Sequence, residues 1–166
     1  AAACLPRAVE QGASDIDARA GMAYAALLSG IVLANAGLGI VHGLASPIGA
    51  FFPAPHGAVC AALVAAATEA NIARLLAEHG PDHPALTKYS HAGTLLSGRD
   101  AHDVAAGCML LVESLQAWTA RFGLPRLGQF SITDADVPRI VAGAGNKNNP
   151  VALSKNEIAA IVKRCL

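Results

Sequence analysis

Formal charge is missing from a long early stretch of the chain. After Arg19 no Lys, Arg, Asp or Glu occurs until Glu69, and residues 20–68 titrate only through Tyr24, His42, His56 and Cys60. An uncharged run of that length calls for burial, in a protein core or in a bilayer. Gly21–Val41 is long enough to span a membrane. However, Ser29, Asn35 and the glycines Gly21, Gly30, Gly37, Gly39 and Gly43 punctuate it, and neither a Lys/Arg cluster nor an aromatic belt marks its ends. The pattern therefore predicts the buried central helix of a bundle, its small residues letting neighbouring backbones come close, and no membrane span.

Helical periods and caps continue to the C-terminus. A short helix is predicted over 2–11 and a second from Ser14 or Asp15 to about Ala36. A third covers roughly Leu38–Phe52, where Pro53 and Pro55 break it. A fourth runs from His56 or Gly57 to about Glu78 and stops at Gly80-Pro81, and a weaker one occupies 84–97 and closes at Gly98. Val104, Cys108, Leu111, Leu115, Trp118 and Phe122 form one apolar stripe ended by Gly123 and Pro125, so Cys108 and Trp118 read as core residues. Thr133 or Asp134 opens a short helix. Ser154-Lys155-Asn156-Glu157 is a capping box for the last one, with Ile158, Ile161, Val162 and Cys165 facing inward. No strand-like alternation or internal repeat is visible, and Asn146-Lys147-Asn148-Asn149-Pro150 is a conspicuous polar loop. The expected fold class is all-α, a single-domain bundle of about seven to nine helices over residues 1–166.

Composition narrows the function. The 166 residues suit one domain; 54% are hydrophobic, 14% charged, and 12 Lys+Arg balance 12 Asp+Glu. No basic excess is left to neutralise phosphates, which argues against nucleic acid as a partner, and the apolar content argues against disorder. Cys4, Cys60, Cys108 and Cys165 form no CxxC pair and no secretory signal precedes them, so a reducing, cytoplasmic setting is expected. The opening Ala1-Ala2-Ala3-Cys4-Leu5 reads like the middle of a helix and suggests a piece of something longer.

Candidate chemistry concentrates on two histidines inside the uncharged stretch. His42 follows Gly39-Ile40-Val41, and His56 lies between Pro55 and Gly57. Because Pro53 and Pro55 forbid one continuous helix, the first imidazole projects from one helix and the second from the start of the next, where they can converge. On spacing alone the pair reads equally well as two hydrogen-bonded core histidines. His79 and His83 have ligand-like spacing, but Gly80-Pro81 interrupt the helix that spacing requires. His83, His91 and His102 read as surface residues, and Cys60, one turn after His56, as a small core residue. No nucleotide-cradling glycine motif occurs.

The segment from Asn35 to Gly57, with Gly39-Ile40-Val41-His42-Gly43, then Pro47-Ile48-Gly49, then Pro55-His56-Gly57, resembles the signature of the iron-containing alcohol dehydrogenase family. Leu124-Pro125-Arg126-Leu127 and Asn149-Pro150 before the capped last helix are similar to that family's C-terminal part. The resemblance covers the whole chain but only the helical, metal-binding half of a dehydroquinate synthase-like fold. It implies that an N-terminal α/β domain binding NAD or NADP, and an Asp-x-x-x-His motif supplying two of four metal ligands, are absent from this chain. His42 and His56 match the other two ligands, for Fe²⁺ or Zn²⁺. Many members carry a second histidine four residues after the first ligand, beside the nicotinamide; here Ser46 stands there, which puts a histidine proton relay in doubt and leaves Ser46 as a cleft-lining, cofactor-contacting residue. The implied reaction is reversible oxidoreduction of a small alcohol and its aldehyde or ketone, with the isolated fragment inactive and the enzyme a homo-oligomer, most simply a dimer. The alternative is a free-standing, non-catalytic helical interaction module.

Overall fold

The computed structural model describes residues 1–146 and 148–166. Among them run α1 (Leu5–Gln11), α2 (Ile16–Ala36), α3 (Ile40–Phe51), α4 (His56–His79), α5 (Pro84–Ser97), α6 (Val104–Arg121), α7 (Val137–Gly143) and α8 (Lys155–Cys165). Two 3-10 turns, Leu127–Phe130 and Asp134–Asp136, join them, and no strand occurs among the described residues. The all-α expectation holds, and the punctuation explains most boundaries. The Asp15 and Asp103 carboxylates accept the Ala18 and Ala106 amides at 2.9 and 2.7 Å and so cap α2 and α6. Gly37, Gly80 and Gly98 stop α2, α4 and α5 at φ of 73°, 75° and 67°, a region that a side chain would strain. Ser154 and Glu157 form the predicted capping box, and its hydrogen bonds hold the Glu157 carboxyl below its usual range.

The chain divides into two compact units, Ala1–Gly37 and Leu38–Leu166. In the first, α1 packs on α2 at Gly21, where an added methyl would overlap the Cys4 sulfur. Here the structure corrects the expectation of a buried central helix. Only Ala18 of α2 is buried, while Tyr24, Leu27, Leu28, Ile31, Val32 and Leu33 are exposed. The reason is geometric: α2 has 21 residues and is apolar on every side, and the seven residues of α1 can cover only a short strip of it. By length and composition α2 and α4 could each cross a membrane, although 44% of the most apolar window of α4 is buried within the protein.

The second unit is built around α4, which packs against α3, α5, α6 and α8. Leu44, Ile48, Val59, Leu63, Leu75, Leu86, Ile140 and Val162 have no exposed surface, each contributing roughly 1.5–3 kcal/mol of burial. α8 turns Ile158, Ile161, Val162 and Cys165 inward, as its sequence pattern indicates. α5 and α6 lie so close that the Gly93 and Gly107 positions have no room for a Cβ. Cys108 is buried on α6 and its thiol donates to the Leu86 carbonyl, and Trp118 packs against Phe122 at 6.1 Å. The four cysteines are free.

Candidate metal centre

α3 begins without a cap of its own. Its N-cap is Gly39, so the Ile40 amide must find an acceptor elsewhere, and it donates to Asn149 Oδ1 at 3.1 Å. Asn149 is itself fixed: its Nδ2 donates to Asn71 Oδ1 at 2.6 Å and to the Val151 carbonyl at 2.8 Å. Asn71, buried on α4, donates in return to Asn149 Oδ1 and to the Tyr89 hydroxyl, each at 3.3 Å. One amide-to-amide pair thus ties the first turn of α3 to α4, α5 and the loop after α7, two residues from His42. Burial pushes the Tyr89 phenol above its usual range, so it stays a neutral member of this network.

A second tie holds the same turn. Pro47 lies inside α3 and has no amide hydrogen, which deprives the Gly43 carbonyl of its helical donor. The Gly145 amide fills that place, donating to the Gly43 oxygen at 3.3 Å. The approach requires glycine, since a Cβ on Gly43 would overlap the Gly145 carbonyl. His42 is therefore flanked by a strap, residues 144–150, of which Lys147 lies outside the described residues.

His56 arrives differently. Pro53 and Pro55 break the chain after α3, and Pro55 sits at φ −59° as the N-cap, so His56 is the first residue of α4. The two rings meet with centroids 5.5 Å apart at an interplanar angle of 43°. Cys60 follows one turn later on the same helix face, its sulfur 3.5 Å from His56 Nε2. One donor atom from each of His42, His56 and Cys60 falls within 4.8 Å of the other two. His42 and Cys60 are half-buried and His56 is exposed.

A cleft of about 520 Å³ opens beside this cluster, lined among others by His42, Cys60, Thr68, Asn71, Tyr89 and Asn149. No described lining residue carries a formal charge. Two imidazoles and a thiol suit a borderline transition-metal ion such as Fe²⁺ or Zn²⁺ rather than a hard, oxygen-seeking one. Two metal–nitrogen bonds of about 2.1 Å each span at most about 4.2 Å, and the donor atoms here lie within 4.8 Å of one another, so the donor set suits such a cation.

The remaining expected residues are placed as follows. Ser46 is exposed on α3, one turn after His42. Asn148 and Asn149, from the loop that the sequence marks only as polar, line the cleft. His79 and His83 stack at 4.8 Å despite the helix break, because the Gly80 turn folds the chain back; His83 is half-buried and its Nδ1 caps α5 by accepting the Ala85 amide. His91 and His102 are exposed. Cys60 both packs against the core, as the sequence suggests, and presents its sulfur to His56. Asn71 was missed by sequence reasoning. Its signal was a lone amide on the buried side of α4, among Ala67, Ile72 and Leu75.

Comparison with known proteins gives a consistent result. Residues 2–166 match the model of the Fe-containing alcohol dehydrogenase family, C-terminal. The chain is 29% identical over 177 residues to the NAD-dependent methanol dehydrogenase of Bacillus methanolicus, covering 98% of this chain and 41% of that protein. It is 32% identical to the 1,3-propanediol dehydrogenase of Citrobacter freundii, covering 96% of this chain and 40% of that one. The solved structure of an archaeal halo-thermophilic Red Sea brine pool alcohol dehydrogenase superposes with a TM-score of 0.87 at 26% identity, over 99% of this chain and 41% of that one. The chain thus spans about two fifths of the length of the relatives it matches.

Proposed function

The chain belongs to the Fe-containing alcohol dehydrogenase family, and from that premise we propose that it is the metal-holding, helical part of an NAD(P)-dependent alcohol dehydrogenase. The observation that carries this reading is the meeting of His42 and His56, from two helices, at a centroid distance of 5.5 Å beside an uncharged cleft. The proposed reaction is reversible oxidation of a small alcohol to its aldehyde or ketone, with the dinucleotide carried mainly by a part of the protein outside this chain.

When bound, a divalent cation supplies Lewis acidity toward the alcohol or carbonyl oxygen. The chain's own residues do the holding and orienting. His42 and His56 offer imidazole nitrogens, and the Asn149–Asn71 pair and the Gly145–Gly43 bond hold the turn that presents His42. Ser46 presents a hydroxyl that can donate and accept a hydrogen bond at the substrate or dinucleotide. It cannot carry a proton near neutrality as an imidazole would. The low polarity of the cleft walls strengthens whatever charge is placed there. On this reading the enzyme works in the cytoplasm.

The test uses the full-length protein with NAD and a small primary alcohol. His42→Ala and His56→Ala are each expected to release the metal during dialysis and to lower kcat/KM by at least about a hundredfold, the upper range for losing mere outer-shell support. Metal retention and turnover within a few-fold of the parent protein would refute the assignment.

A further inference from the structure

The corner between α4 and α5 is built on two imidazoles that the metal reading does not use. α4 ends at His79, Gly80 turns the chain at φ 75°, and α5 begins at Pro84, which makes His83 the N-cap of α5. Proline has no amide hydrogen, so Ala85 carries the first amide of α5 that needs an acceptor, and it donates to His83 Nδ1 at 3.2 Å. The Leu86 amide closes on the His83 carbonyl at 2.9 Å. Acceptance at Nδ1 puts the ring's single proton on Nε2. The same ring stacks on His79, with centroids 4.8 Å apart at an interplanar angle of 27°. Asn, Ser or Thr would cap this helix at neutral and mildly acid pH alike, whereas an imidazole caps only while it is neutral.

We propose that His83 is a proton-operated latch on the α4–α5 corner, closed while its ring is neutral and opened when the ring takes up a proton. The added proton goes to Nδ1. An N–H donor then faces the Ala85 amide where an acceptor stood, and positive charge lies at the positive end of the α5 dipole. The charges around the ring do not cancel this. On α4, Glu78 Oε1 lies 3.8 Å from His79 Nε2, while the same carboxylate is paired with Arg74 at 2.8 Å. A proton drawn to His79 by Glu78 adds to the effect, because two imidazolium rings stacked at 4.8 Å repel. Asp82 precedes His83 in the turn and Lys88 follows it on α5, both exposed to solvent that screens them. Leu86 has no exposed surface and its carbonyl accepts the Cys108 thiol, so the opening stops at that residue and α5 stays on the core.

The test is hydrogen exchange of the full-length protein, read by mass spectrometry on peptides that contain the Ala85 and Leu86 amides. It compares about pH 8 with about pH 5, either side of the ordinary imidazole value of about 6.5, after correction for the intrinsic effect of pH on exchange. Peptides from the middle of α6 serve as the reference for any general loosening in acid. Relative to them, the parent protein is expected to lose about fivefold in protection at the corner at the lower pH, the usual worth of a helix cap. His83→Asn caps without titrating and should keep its protection at both values, and His83→Ala should be weakly protected at both. Equal protection of the parent corner at the two values, or the same acid loss in His83→Asn, would overturn the latch. An acid loss that disappears in His79→Gln but persists in His83→Asn would assign the response to His79 and overturn it as well.

Discussion

Asn149→Ala is expected to destabilise the 166-residue chain by about 3 kcal/mol, because three buried groups lose their partners at once. The Ile40 amide loses its acceptor, Asn71 loses both halves of its amide pair, and the Val151 carbonyl loses a donor. Each stranded group costs about 1–3 kcal/mol, and water reaching the half-open site returns part of it. For a chain of this size that is a fall in Tm of about 6–12 °C. Asn149→Asp keeps an acceptor for Ile40 but cannot donate to Asn71 or Val151, so its loss should be intermediate. Thermal unfolding followed by circular dichroism reads all three. Tm values within about 1 °C of each other would show that the amide pair does not fasten α3.

Gly93→Ala should be the other severe change, through crowding rather than lost bonds. A methyl there would overlap the Gly107 carbonyl oxygen and come to 2.7 Å from the Leu111 amide nitrogen, both parts of the α6 backbone. Backbone cannot rotate aside as a side chain can, so α5 and α6 must separate along their contact. Overpacking of this kind costs about 3 kcal/mol, and the better helix propensity of alanine returns about 1, leaving a net loss of about 2 kcal/mol. Gly49→Ala is the matched control, since nothing lies within 4 Å of a methyl on that helical glycine. It should be neutral or slightly stabilising. Equal Tm values for the two variants in thermal denaturation would contradict the packing described for α5 and α6.

These effects show which parts of the structure can be read along the chain. Helix limits were legible because their causes are local. Asp15 and Ser154 each accept the amide three positions on, and Gly80-Pro81 ends α4 by its own backbone preferences. The ordered glycines, prolines and histidines between Gly39 and Gly57 likewise announced the family and the two imidazoles. What escaped reading depends on partners remote in sequence. Asn71 and Asn149 are 78 positions apart, and neither residue alone shows that it will pair with the other. Pro47 advertised a missing helical hydrogen bond, but not that Gly145 would replace it across the strap. The exposure of α2 was unreadable for a related reason. Hydropathy reports that a helix wants covering, not what surface is at hand to cover it. His79 and His83 give the opposite lesson, since the break that seemed to separate them folds their rings together.

What the fold contributes to the proposed chemistry is fixed placement. Two histidines on separate helices could drift relative to one another. Here α3 is fastened at its first turn by Asn149 and Gly145, while α4 is held along its length by α3, α5, α6 and α8. The rings therefore meet because two rigid elements meet, the arrangement a metal site requires. Ser46 and Cys60 sit one turn beyond His42 and His56 on α3 and α4, and of the two it is Cys60 that lines the cleft.

The most direct test of that claim is anomalous diffraction from crystals of the full-length protein loaded with Zn²⁺ or Fe²⁺. The account predicts one strong peak between the rings of His42 and His56, about 2.1 Å from a nitrogen of each. A well-occupied metal elsewhere in the molecule, with both rings unliganded, would contradict it.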